Sequence, residues 1–256
     1  MKKLFIYIII SCLLNSSNIL MAQFGFLDPT FGEGGLSMVQ IGYDNYSKVI
    51  FQSNGKITCT GNSFVIDRYT NDGSIDLSFG LKGRLFLTNK PGYAIGLAEF
   101  KNSNYIVTGW FVNSGSNYDI LTIKTKSDGS IDSSFGKNGI VTMDIDNYDY
   151  SEAMTIQTDE KIIVVGELGK NEYDDLRIFI ARFKPDGNID SSFGENGHVV
   201  TKFDKEVACE SVALQDDGKI LVGGTYNLFA MQPAYYVARY NPDGSKDNSF
   251  GDQGIA

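Results

Sequence analysis

Ser74-Ile75-Asp76-Leu77-Ser78-Phe79-Gly80 decides how this chain is read, because the phrase returns as Ser130 to Gly136, Asn188 to Gly194 and Ser245 to Gly251. A terminal variant stands at Leu27-Asp28-Pro29-Thr30-Phe31-Gly32. From Phe31 through Phe79, Phe135 and Phe193 to Phe250 the steps are 48, 56, 58 and 57 residues. Self-similarity at that period marks a repeat architecture, in which each copy is one supersecondary unit that buries its apolar faces against its neighbours.

Working outward through the copy from Gly139 to Gly197, four short apolar runs emerge: Ile140 to Met143, Ala153 to Ile156, Lys161 to Gly166 and Arg177 to Phe183. They are β-branched or aromatic and are bounded by Gly, Asp, Asn and Pro, which predicts strands rather than helices. Thr158-Asp159-Glu160 corresponds to Ser53-Asn54-Gly55 and Asp216-Asp217-Gly218, where Asn-Gly and Asp-Gly supply the positive torsions of tight hairpins. The third run is apolar at consecutive positions, as expected of a strand buried on both faces. Four strands in about 50 residues is the content of one propeller blade. The expectation is an all-β, propeller-like tandem repeat of about four blades with four antiparallel strands each, spanning 33–80, 81–136, 137–194 and 195–251. A linear array of small sheets is the rival architecture. Residues 252–256 open an incomplete further copy, which leaves a closed four-blade unit, a piece of a larger propeller and self-association all open.

The phrase Pro-Asp-Gly-x-x-Asp-x-Ser-Phe-Gly at Pro185 to Gly194 and Pro242 to Gly251, with Leu214 to Ile220 as a second motif in the same order, resembles the bacterial delta-60 repeat. The resemblance covers Leu27 to Ala256 and implies a secreted, propeller-like tandem repeat of uncharacterised function, with no reaction attached. Repeat 2 departs from it, with Ser103-Asn104-Tyr105 in place of the Asp-Gly-Lys turn.

Most recurring residues read as structural. Asp76, Asp132, Asp190 and Asp247 stand where a carboxylate caps a short turn by accepting backbone N–H bonds. Phe79, Phe135, Phe193 and Phe250 are expected core plugs, and Gly80, Gly136, Gly194 and Gly251 belong to the turns that follow. Each copy offers too few oxygens for calcium, which takes six to eight. Asp144, Asp146 and Asp149 form a denser acidic run, but no glycine supplies the sharp turn of a calcium loop. The Gly-x-x-Gly spacing at Gly136 to Gly139 precedes a strand, not the helix N-terminus a phosphate loop needs. Arg68, Lys124, Arg182 and Arg239 each precede the turn glycine by five residues and are expected to pair with the Asp three residues after it. A ring of cations around a channel is the alternative.

Function is expected where the copies differ. Strand alternation brings the loops containing Tyr43, Tyr46, Tyr148, Tyr150, Tyr173 and Tyr226 to one surface, and varied tyrosine-rich loops on a rigid scaffold suit recognition. The expected partner there is a glycan or a protein at the cell surface. The formal net charge of −9 argues against nucleic acid, which is bound through clustered Lys and Arg.

The N-terminus reads as a secretory signal peptide over residues 1–22: Lys2-Lys3, an apolar run of about 11 residues, then a small residue before Gln23. That run is too short for a bilayer span, and Ile9-Ile10-Ser11-Cys12 offers a lipoprotein box as the alternative. Cys59 and Cys209 either bridge in an oxidising compartment or remain small buried thiols. With His198 as the sole histidine, Ser-His-Asp and histidine-rich metal chemistry find no support. No catalytic residue, metal ligand or cofactor is assigned. A secreted, non-catalytic binding, adhesive or structural role is expected, with a propeller hydrolase using channel carboxylates as the alternative.

Overall fold

The computed structural model describes residues 27–38, 45–113, 117–171 and 173–256. The leader over 1–22 and Tyr43 lie outside the described residues.

Strands β1 (Tyr46–Phe51), β2 (Ile57–Gly61), β3 (Val65–Tyr69) and β4 (Arg84–Phe86) form one antiparallel meander. A second runs through β5 (Gly92–Phe100), β6 (Asn104–Val112), β7 (Tyr118–Thr125) and β8 (Ile140–Met143). The third contains β9 (Tyr148–Ile156), β10 (Ile162–Gly169), β11 (Arg177–Phe183) and β12 (His198–Thr201). In the fourth, β13 (Val207–Leu214), β14 (Ile220–Tyr226) and β15 (Ala234–Tyr240) are joined by a bridge from Ala238 to Ile255. A single parallel pair, Tyr118 with Tyr148, links the second unit to the third. The all-β, propeller-type architecture expected from the repeat is therefore the one observed.

The strand grouping differs from the expected boundaries. Ile140–Met143 pairs with β7 and closes the second unit instead of opening the third, so each sheet is cut from the chain one strand later than 33–80, 81–136, 137–194 and 195–251 imply. The cause is the turn after Phe135: Gly136 and Gly139 adopt φ of 50° and 89°, and Lys124 donates its N–H to the Gly139 carbonyl. The chain thus doubles back along the strand it has just left. Positive φ is the conformation glycine adopts without steric cost.

Three apolar layers lie between four units. Ile66, Phe79, Leu97, Val107 and Leu121 fill the first, Ile106, Phe135, Val164 and Phe179 the second, and Val165, Ile180, Phe193, Val222 and Tyr240 the third. β10 shows why its sequence is apolar without alternation. Ile162 and Val164 face one layer while Ile163 and Val165 face the next, and every position of the strand is buried. Period-2 geometry sends successive side chains to opposite faces, so a sheet between two sheets needs apolar residues at each position.

The recurring phrase locks each unit internally and to the next. Asp190 Oδ1 accepts from Ser192 N (3.3 Å) and Oγ (2.7 Å), while Oδ2 takes Arg182 Nε at 2.8 Å. Arg182 in turn lies 4.5 Å over the Phe193 ring. Arg68 with Asp76 and Arg239 with Asp247 repeat the pairing at 2.7 and 2.8 Å, and Lys124 stands 3.4 Å from Asp132. These cations are committed to the motif carboxylates rather than forming a ring about a channel. Burial pushes the Asp190 carboxyl up, but Ser192 and Arg182 outweigh it and hold the group at about 2. Phe79, Phe135 and Phe193 have no exposed surface, whereas Phe250 is half-buried.

Hairpin turns agree with the expected chemistry at Gly55 and Gly218, with φ of 83° and 81°. Glu160 takes the same role at φ 68° without being glycine. In repeat 2 a 3₁₀ turn, Lys101–Ser103, replaces it, with Asn102 and Ser103 both at φ 58°. Cys59 and Cys209 are both buried free thiols.

Candidate functional site

At one end of the sheets the variable loops touch one another. Asn147 Nδ2 donates to the Lys170 carbonyl at 3.5 Å, Arg177 pairs with Asp146, and Lys202 Nζ lies 2.6 Å from Asp175. Leu176 N donates to Glu206 at 2.6 Å, and Leu228 N to the Glu206 carbonyl at 3.0 Å. This end carries most of the tyrosines singled out in the sequence, in separate groups.

Tyr148 and Tyr150 belong to a continuous aromatic surface with Tyr118, Trp110 and Tyr93. Tyr93 stands directly across from Trp110 in the β5–β6 ladder, with ring centroids 4.8 Å apart. Trp110 meets Tyr118 and Tyr150 edge-on at 5.0 and 5.2 Å, and Tyr118 lies 5.0 Å from both Tyr148 and Tyr150. Five rings on four neighbouring strands therefore join into one partly exposed surface, held at spacings at which aromatic pairs attract. Tyr173 instead pairs with Phe229 at 6.2 Å, and both are largely exposed. Tyr226 bonds Asp204 Oδ1 through its hydroxyl at 2.8 Å. Tyr46 turns away from the group, its hydroxyl bonded to Asp67 and 2.9 Å from that of Tyr69.

Strand alternation places carboxylates on the opposite side of the same strands. Asp149 is fully buried between Tyr148 and Tyr150 in the chain, and burial pushes its carboxyl up to about 7 despite N–H bonds from Ile145 and Asp146. Burial, then the nearby Asp144, also raises Asp119, whose Oδ2 accepts from Asn113 at 2.6 Å.

A second feature lies where the four inner strands approach one another. Each carries a β-bulge at the matching place: Ser47 in β1, Ile95 in β5, Glu152 in β9 and Glu210 in β13. All four line one cavity of about 330 Å³, together with Lys48 and Met154. A bulge re-aims a side chain, and here equivalent positions carry unlike chemistry. Burial first, and then Glu210, raises Glu152 to about 7. Burial, then Glu152, raises the neighbouring Glu167 to about 8, with its carboxylate accepting from Cys209 N.

The loop reading located Tyr148 and Tyr150, which the structure places at the start of β9 instead of in a loop, but missed Tyr93, Trp110 and Tyr118 on the neighbouring strands. It also missed the bulges. Their signal is a glycine in every second strand: a Cβ added at Gly61, Gly109, Gly166 or Gly224 would lie 1.8–1.9 Å from the carbonyl of Asn45, Tyr93, Tyr150 or Ala208. His198 shares a surface groove with Ser192 and Asp243, yet its Nδ1 has no partner and the Ser192 hydroxyl is engaged by Asp190. Among the described residues no His, Cys, Asp or Glu group is arranged to hold a metal, and no helix is long and apolar enough to cross a membrane.

The model of a family described as "Domain of unknown function (DUF5122) beta-propeller" matches residues 104–135, 157–193 and 215–250. Each match ends on a motif phenylalanine, so the segments similar to this family coincide with the repeat found in the sequence. Among solved structures, the chain is similar to a novel alpha-L-arabinofuranosidase (CtGH43) from Clostridium thermocellum ATCC 27405, with 13% identity and a TM-score of 0.42 over 78% of this chain and 70% of that one. No curated protein matches the chain.

Proposed function

We infer that this chain is an exported propeller repeat protein of the delta-60 type that binds a glycan through the surface formed by Tyr93, Trp110, Tyr118, Tyr148 and Tyr150. The observation that carries this reading is the joining of five rings across β5, β6, β7 and β9 beside polar loops. Sugar rings present apolar C–H faces that stack on aromatic rings, while their hydroxyls need fixed donors and acceptors close by. Asp146 and Asn147 in the adjoining loop and Arg177 at the start of β11 supply such groups. Residues 1–22, read as a cleaved leader, support a position outside the cytoplasm or at the cell surface.

Trp110 is the only tryptophan of the chain and lies within the surface, so its emission reports binding directly. Titration with an oligosaccharide panel is expected to shift that emission, and Tyr118→Ala or Tyr148→Ala to weaken binding about tenfold or more, a loss of about 1.4 kcal/mol. Tyr173→Ala is expected to leave it unchanged. A panel without a binder, or affinity indifferent to Tyr118 and Tyr148, rejects the reading.

Hydrolysis is the second reading, favoured by Glu152 and Glu210 lining one cavity where four bulges converge. A carboxyl raised to about 7 is partly protonated at neutral pH, as a general acid must be, and Glu210 lines the same cavity. Turnover of aryl glycosides that is lost in Glu152→Gln and Glu210→Gln would replace the binding reading; no turnover by the native chain removes hydrolysis.

A further inference from the structure

Tyr150 belongs to two features at once. Its ring lies 5.2 Å from that of Trp110 and 5.0 Å from that of Tyr118 in the aromatic surface. It also lines a cavity of about 230 Å³ together with Glu152, Glu167, Leu176, Val207, Ala208 and Leu228.

Local structure explains how this cavity acquires two unlike walls. Glu167 stands directly across from Tyr150 in the β9–β10 ladder, so the pleat sends both side chains to the same face of the third sheet. The bulge at Glu152 then interrupts that ladder and brings a second carboxyl to the cavity. The opposite wall belongs to the fourth unit and to two loops. Val207 and Ala208 open β13, while the N–H groups of Leu176 and Leu228 are bonded to Glu206, the residue before β13, at 2.6 and 3.0 Å.

The two walls make different demands on an occupant. Four aliphatic side chains accept an apolar group and exclude a hydrated charge. The other wall calls for hydrogen bonding: the Glu167 carboxylate already accepts the Cys209 N–H, whereas the Glu152 carboxyl meets no donor among the described residues. Burial drives both groups toward the neutral form, which donates to a carbonyl oxygen instead of pairing with a cation. The occupant must therefore carry an apolar end and a neutral hydrogen-bonding end side by side.

We propose that this cavity takes the acetamido group of an N-acetylated amino sugar stacked beside Tyr150, with its methyl among Leu176, Val207, Ala208 and Leu228 and its amide on Glu152. The proposal rests on the glycan reading of the aromatic surface and names the sugar class which that surface selects. A plain hexose leaves the cavity to water, and a deoxy sugar brings a methyl without an amide. An amino sugar with a free ammonium sets a charge against the aliphatic wall.

Titration of Trp110 emission with N-acetylglucosamine oligomers, the same oligomers deacetylated, and glucose oligomers of equal length tests this. The acetylated oligomers are expected to bind about tenfold or more tightly than either of the others, the combined worth of one buried methyl and one hydrogen bond. Ala208→Leu, which fills the cavity, is expected to erase that preference and leave the affinity for glucose oligomers as it was. Glu152→Leu is expected to erase the preference too, while Glu152→Gln, whose amide both donates and accepts, keeps it. Glucose or deacetylated oligomers bound as tightly as the acetylated ones, or a preference indifferent to both Ala208→Leu and Glu152→Leu, overturn the acetamido site and leave the aromatic surface standing. A chain that binds no oligosaccharide at all overturns both.

Discussion

Gly187→Ala and Gly55→Ala form a pair that separates the backbone requirement of a turn from the lock between units. Both glycines hold nearly the same torsion, φ 85° and 83°, so an alanine carries about the same left-handed penalty at each, roughly 1–2 kcal/mol. A Cβ on Gly55 meets nothing within 4 Å. On Gly187 it would lie 2.7 Å from Gly136 N and 3.0 Å from the fully buried Phe135 ring. Relief requires moving Gly136 off the Asp186 carbonyl, a loss of about 1 kcal/mol, and shifting a packed ring, about 1–3 kcal/mol for an overfilled site. Gly187→Ala is thus expected to cost about 2–4 kcal/mol more than Gly55→Ala, from those same two terms. Urea unfolding followed by Trp110 emission measures both, with similar m-values showing that the denatured states match. Equal destabilisation of the two variants would refute the lock.

Stability should also respond to pH through the inner carboxyls. Glu167 and Glu152 are raised to about 8 and about 7, so the folded chain keeps protons that the unfolded chain has released above its ordinary glutamate pKa of about 4.3. Their contribution is present at acidic pH and is lost as pH rises through those folded values. Glu167→Gln, which retains an acceptor for Cys209 N–H, is expected to flatten the decline of Tm between about pH 4 and pH 8 and to exceed the native Tm at the upper end, by thermal melts at each pH. Glu160→Gly relieves a hairpin position that holds a left-handed turn without glycine, where repeats 1 and 4 have glycine. It is expected to stabilise by roughly 0.5–1 kcal/mol in urea melts.

Read alone, the sequence determined the repeat, the short-strand content of its copies, the turn chemistry and the pairing of Arg68, Lys124, Arg182 and Arg239 with the motif acids. These are legible because they are local: a β-branched run, an Asp-Gly pair or a cation eight residues before a carboxylate meets its partner within the same unit. Only the tertiary structure decided which sheet each strand joins, since Ile140–Met143 has equal propensity for either neighbour and the Gly136 turn selects one. It also decided that Tyr93, Trp110, Tyr118, Tyr148 and Tyr150 form one surface, and that Ser47, Ile95, Glu152 and Glu210 line one cavity. Residues scattered across two units for the aromatic surface and four for the cavity become neighbours through the angle between packed sheets, a property of the assembled layers that no single stretch of chain encodes.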